Sequence, residues 1–242
     1  MLKSSLEFPF RGDGTAKRLL VGSGLILVSL VPLVNLITGL VLNGYQMRAM
    51  RAGARDDPHP PTFDDVGDLL MDGLRFVAVA LVYTVPSILV VAVGIAAVLF
   101  TVPLGAAAAG AGGVGGDALL GGTGLLATGV LLVSLVVAVV PFYFLPAALV
   151  AVATRESVGA AFELSAVATV AFSTEYLVGM VVALALVTVV GTVVQLLVLV
   201  LVGVPLVFCF QVALGHFLGR VVDRAARRND TDVTARPAPA SS

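Results

Sequence analysis

Residues 176–219 read YLVGMVVALALVTVVGTVVQLLVLVLVGVPLVFCFQVALGHFLG, 44 residues without an aspartate, glutamate, lysine or arginine. One helix crossing the ~30 Å hydrocarbon core of a bilayer takes about 20 apolar residues, so this stretch holds two. Gly203-Val204-Pro205 supplies the turn, because glycine and proline together punctuate helices. The pair is predicted as a hairpin, 176–202 and 204–222, with both ends on one side. Three further charge-free runs, 19–47, 76–116 and 118–154, precede it in a chain of 242 residues that is 59% hydrophobic and 12% charged. A soluble domain averages about 25% charged residues. Half that share does not cover a soluble surface, which excludes a soluble globular domain, a disordered chain and a nucleic-acid-binding module. The expected class is an all-α, polytopic helical membrane protein.

The net charge of −1 implies no bulk electrostatic partner and no nucleic acid. The lone cysteine, Cys209, excludes an intrachain disulfide or a cysteine metal cluster. Residues 1–18 mix charges with Phe8-Pro9-Phe10 and form a cytoplasmic N-terminal segment. The apolar run after them has 29 residues, too long for a signal-peptide core, and is expected to remain as an anchor.

The few charges set the topology. With 19–47 as a single span, the basic residues divide between the two sides. With a hairpin or re-entrant loop broken at Pro32-Leu33-Val34-Asn35, all 14 lysines and arginines fall on the cytoplasmic side, as the positive-inside rule favours. The expectation is therefore about six membrane segments in three hairpins, near 19–31, 33–50, 76–100, 122–153, 176–202 and 204–222. They would lie in the cell membrane with both termini cytoplasmic. A glycine- and alanine-rich loop, 105–124, joins the third and fourth. Two cytoplasmic amphipathic helices are predicted at the interface. One covers 62–74, with Thr62 and Asp65 as a capping box; the other covers 155–173. Of the cytoplasmic tail, 223–242, the part up to Arg228 is expected to extend the last helix from Arg220 onward, and Asn229 to Ser242 to be disordered.

Phe8-Pro9-Phe10 and Lys17 are followed by Pro32, Asn35, Gly44-Tyr45 and Arg48. Then come Phe63-Asp64-Asp65-Val66-Gly67-Asp68-Leu69 and Gly73, later Ala161-Phe162, and last His216 and Gly219. In these positions, from about residue 6 to 222, the chain resembles the mainly archaeal membrane family catalogued as domain of unknown function 4013. Members often carry an aromatic residue at the position of Val66. The resemblance implies an integral membrane protein and no particular activity.

The most chemical stretch holds Asp64, Asp65, Asp68 and Asp72. Asp64, Asp68 and Asp72 fall at i, i+4 and i+8 and would share a helix face. Such carboxylates could hold Mg²⁺ against a pyrophosphate, with a spacing similar to the first aspartate motif of membrane prenyltransferases. A second aspartate cluster, which those enzymes need, is missing, so the favoured reading is the solvated face of an amphipathic helix; no cofactor is predicted. Gly110-Ala111-Gly112-Gly113-Val114-Gly115 spells a dinucleotide fingerprint outside the strand-to-helix setting that gives it meaning. His216, with Gly215 and Gly219 one turn apart, is read as a helix-packing element, since small residues let helices approach and histidine can hydrogen-bond across the contact. Asn35, Gln195 and Gln211 are polar residues within spans, expected to bond between helices; Asn35 could alternatively line a helix break.

No charge lies inside 76–100, 122–153 or 176–219, which disfavours an ion-coupled transporter. No serine, histidine and acid set at matched depth suggests a hydrolase. The expectation is a non-catalytic membrane component that contacts the lipid bilayer and assembles with itself or other membrane proteins. A passive or accessory transporter component for a neutral or lipid-like solute, with kinks at Pro86, Pro141, Pro146 and Pro205, is one alternative. A Mg²⁺-dependent enzyme acting on a lipid pyrophosphate at Asp64–Asp72 is the other.

Overall fold

The structure, a computed structural model, describes residues 2–11, 14–29, 31–110, 116–198 and 203–229. Among them the chain is all-α. Its α-helices are α1 (Leu2–Glu7), α2 (Thr15–Val28), α3 (Pro32–Ala54), α4 (Val66–Gly110), α5 (Gly116–Arg155), α6 (Leu164–Ala171), α7 (Thr174–Val198) and α8 (Gly203–Arg228). Short 3-10 turns cover Phe8–Phe10 and Val158–Phe162. Four stretches are long and apolar enough to cross a membrane: Val66–Thr101, Gly124–Arg155, Thr174–Val198 and Gly203–Arg228.

The first apolar run breaks into two helices, as the hairpin reading expects, but Pro32 opens α3 and does not sit in the turn. Proline has no N–H to leave unsatisfied at a helix start and drives the residue before it to extended backbone. Val31 accordingly sits at φ −84°, ψ 116°. Asn35 lies in the first turn of α3, its N–H bonded to the Val31 carbonyl at 2.8 Å. Neither α2 nor α3 is among the four apolar helices. At about 1.5 Å per residue, the 14 residues of α2 reach only ~21 Å. α3 is longer, but Asn35, Asn43, Gln46, Arg48 and Arg51 interrupt its apolar character.

The interfacial helix expected at 62–74 is not a separate element. Helix α4 begins at Val66, not at Thr62, and runs unbroken through the predicted 76–100 span. Tyr45 accounts for the late start: its hydroxyl donates to the Pro61 carbonyl at 2.9 Å, and its ring stacks on Phe63 with centroids 4.5 Å apart. Residues 61–63 are thus held outside the helix. Arg75, whose charge marked the expected boundary, is paired with Asp72 one turn back at 3.1 Å, and no glycine or proline follows it before Pro86, which the helix carries inside it.

The second interfacial helix, 155–173, is also corrected. α5 ends at Arg155; Glu156 adopts the left-handed conformation (φ 58°) and donates its N–H back to the Val152 carbonyl at 2.8 Å, which closes the helix as an αL cap. A 3-10 turn and the eight-residue α6 follow, divided at Glu163, whose carboxylate meets Arg155 at 2.6 Å. The expected loop at 105–124 shrinks from both sides, since α4 continues to Gly110 and α5 starts at Gly116. Alanine is the strongest helix former, and 106–109 are all alanine. Most of the dinucleotide-like run, 111–115, lies outside the described residues, as do 230–242 of the expected tail. Helix α8 runs to Arg228, so the expected extension of the last helix from Arg220 is present.

The chain divides into two compact units, Met1–Ala80 with Pro146–Ser242, and Leu81–Leu145. In the first, α8 is central: it packs on α3 and α7 and also meets α1, α2 and α6. Of its apolar stretch 61% is buried inside the chain, against 11% to 17% for the other three. Phe8, Val41, Tyr45, Ala49, Leu69, Phe208 and Val212 form a core there. Ser173 receives the Tyr176 N–H at 3.2 Å and caps α7. In the second unit α4 and α5 pair closely. The Ser87 hydroxyl donates to the Ala138 carbonyl at 3.0 Å, and Gly94 faces Ser134 with no room for a Cβ.

Candidate functional site

Helices α3, α4 and α8 approach each other through glycines. A Cβ on Gly44 would run into the Leu69 carbonyl oxygen of α4, and one on Gly73 into the Leu40 carbonyl of α3. On the other side of α3, Gly53 abuts the His216 carbonyl and Gly219 the Met50 carbonyl. α3 is thus clasped at four points by backbone-to-backbone contacts that only a residue without Cβ permits.

This close approach brings one of the predicted aspartates, Asp72, together with several arginines near the end of α3. Asp72 is 4% exposed and meets Arg48 Nε at 3.4 Å, Arg51 Nη2 at 3.4 Å and Arg75 Nη1 at 3.1 Å. Arg51 also donates through Nε to the Ala153 carbonyl, and Arg55 donates to the Thr154 carbonyl at 3.4 Å. Both carbonyls belong to the last turn of α5, where carbonyls lack helical partners and the helix dipole favours a cation. Glu156 adds a carboxylate 3.9 Å from Arg51 and from Arg55. The arginine cluster therefore ties α3, α4 and the end of α5 together.

The four aspartates do not converge. Asp64, Asp65 and Asp68 are exposed, and Asp64 precedes α4, 3.1 Å from Lys17 of α2. The hydrogen bond from Lys17, with a second from Thr62, holds the Asp64 carboxyl below its ordinary range. Among the described residues, no three of His, Cys, Asp and Glu stand together as a metal-holding group. Asp72 departs from the solvated face assigned to it because it lies three residues beyond Leu69, which is fully buried, and so turns inward with it. Arg75 at i+3, with Arg48 and Arg51 spaced by three on α3, was the sequence signal for its partners.

His216 is buried, its Nδ1 3.0 Å from the Ser5 hydroxyl of α1, its ring stacked on Phe8 at 3.9 Å between centroids. The backbone around it packs on α3 as the Gly-x-x-x-Gly spacing predicts: Gly219 meets Met50 and Gly215 faces Gln46. The imidazole itself turns away from that contact toward the N-terminal segment. One turn on, Arg220 pairs with Asp56 at 2.8 Å and donates to the Ser4 hydroxyl at 2.5 Å. Asp56 occupies the left-handed position (φ 53°) just past α3, where the Asp57 N–H bonds back to the Ala52 carbonyl at 2.9 Å as in a Schellman cap. Asp57 in turn accepts the His59 N–H at 2.9 Å, which holds its carboxyl below the ordinary range. Asn35, Gln195 and Gln211 are exposed in the chain; the structure brings none of them into the helix contacts above.

Apolar helices of spanning length, held by glycine contacts and by a buried ionic tie, define a multi-pass helical membrane protein. The chain belongs to the family described as protein of unknown function, DUF4013, whose model matches residues 27–227. The match runs from the end of α2 to the last turn of α8 and contains the glycine clasp and the arginine cluster, while α1 and Phe8 lie before it. No curated protein and no solved structure matches the chain.

Proposed function

We propose that this protein is a non-catalytic component of a membrane assembly, resident in the cell membrane with both termini cytoplasmic and with α2 and α3 as a hairpin or re-entrant pair. The carrying observation is how the chain uses its side chains. The groups with chemical potential serve structure: Asp72 bridges three arginines, and His216 anchors α1. The apolar faces of α7 point outward instead, with Leu184 68% and Leu196 62% exposed. Ala185, Thr188 and Thr192 are exposed on the same helix at i, i+3 and i+7, and small residues on one face let a second helix approach closely in a bilayer.

A photo-crosslinking residue at Leu184, irradiated in native membranes, is expected to capture either a second copy or one stoichiometric membrane protein. Crosslinks to lipid alone overturn the assembly reading. Mg²⁺-dependent protection from proteolysis that disappears in Asp64→Asn/Asp68→Asn overturns the non-catalytic one.

The orientation has its own test. In a Cys209→Ala background, a cysteine replacing exposed His59 is expected to resist an impermeant thiol reagent applied to intact cells and to react after lysis. Labelling in intact cells overturns the hairpin topology.

A further inference from the structure

Two cavities meet at one residue of α8. The first, about 520 Å³, is an apolar groove between α7 and α8, walled by Val178, Gly179, Val182, Phe217 and Val221. Its volume falls within the ~300–1,000 Å³ of small-molecule sites. The second, about 380 Å³, is polar and is lined by Gly53, Asp56, Arg220, Asp223, Arg224 and Arg227. Arg224 lines both.

The charges at the junction are unequal in a specific way. Arg220 is matched by Asp56 at 2.8 Å, Arg227 by Asp223 at 2.8 Å, and Arg228 by Glu175 on the groove's rim. Arg224, exposed, has no ion-pair partner among the described residues. The unmatched cation thus stands where the apolar groove opens into the polar pocket. An occupant satisfying both parts carries a long apolar chain joined directly to an anionic head. Basic pockets between membrane helices accept such heads.

We infer that this junction is a binding site for an anionic phospholipid, with one hydrocarbon chain in the α7–α8 groove and the phosphate at Arg224. The guanidinium provides planar, charge-assisted donors for phosphate oxygens. The matched pairs beside it prevent a diffuse attraction and concentrate selectivity on one residue. A zwitterionic lipid fills the groove equally well but leaves Arg224 less compensated.

Native mass spectrometry of the full chain, released from detergent with phosphatidylglycerol or phosphatidylcholine added, reads the site. Wild type is expected to retain one phosphatidylglycerol at about fivefold lower lipid concentration than phosphatidylcholine, the size of effect one basic residue has at an anionic lipid surface. Arg224→Gln is expected to bring the two lipids to parity, whereas Lys17→Gln, with the same charge change at Asp64, keeps the preference. Val182→Phe, which fills the groove, is expected to lose the bound lipid of either kind while the protein stays monodisperse. Equal retention of both lipids by wild type overturns the proposal. So does loss of selectivity in Lys17→Gln, or displacement of phosphatidylglycerol by millimolar inorganic phosphate alone, which would place a free anion in the polar pocket.

Discussion

Asp72→Ala is expected to destabilise the protein by about 3–5 kcal/mol, the usual cost of removing one partner from a buried ionic group. Arg48 and Arg51 have side chains only 17% exposed, so water does little to compensate the charges left behind. Arg75, at 30%, is better able to turn outward. Asp72→Asn should lose nearly as much, because it keeps the shape but not the charge. Adding Arg48→Met to Asp72→Ala is expected to recover part of the loss, since one uncompensated cation disappears and its stem is replaced by an apolar one. Chemical unfolding in detergent micelles checks all three. A change below about 1 kcal/mol for Asp72→Ala, the scale of an exposed pair, would show that the cluster is solvated.

The glycine clasp leads to the second large effect. Gly44→Ala and Gly73→Ala each place a methyl group against a carbonyl oxygen of the facing helix, so α3 and α4 must move apart. Overpacking costs typically 1–3 kcal/mol, and these two are expected at the upper end, about 3 kcal/mol each, because backbone yields less than a side chain. Separation of the helices also pulls Arg48 and Arg51 away from Asp72, so Gly44→Ala combined with Asp72→Ala should cost less than the sum of the two. Gly24→Ala in α2 meets nothing within 4 Å and is expected to be neutral or to stabilise by about 0.5–1 kcal/mol through helix propensity. Equal unfolding midpoints for Gly24→Ala and Gly44→Ala would refute the clasp.

Much of the architecture was legible residue by residue. Long uncharged runs mark the apolar helices directly, because a single charge inside hydrocarbon is costly. A break near Pro32 follows from proline's stereochemistry, although the expected turn at 32–35 is the first turn of α3, and the Gly215/Gly219 spacing marks a helix contact without naming the helix it meets. The misreadings share a cause. Arg75 looked like the boundary of a span, and Asp64, Asp68 and Asp72 like one polar face, because each charge was read as facing water. Arg75 and Asp72 instead neutralise each other across one turn, so the helix continues. Thr62 looked like a cap, yet Tyr45, 17 residues earlier, holds Pro61 and Phe63 out of the helix. Phe8 and His216 each stand out in the sequence, but their stacking joins positions 208 residues apart, beyond the reach of any periodicity.

The sequence by itself determined the class of this protein, since the cost of placing charge in a bilayer acts on composition and run length alone. It also determined that the first apolar run breaks near Pro32, because proline's missing N–H and its restriction of the preceding residue are local. Only the tertiary structure decided which charges are buried and which glycines are indispensable. Those properties depend on what the facing helix offers at 3–4 Å: a carbonyl, an arginine, or nothing. Asp72 and Asp68 are the same residue one turn apart, and it is the presence of Arg48 and Arg51 on a neighbouring helix that makes one a structural tie and leaves the other in the open.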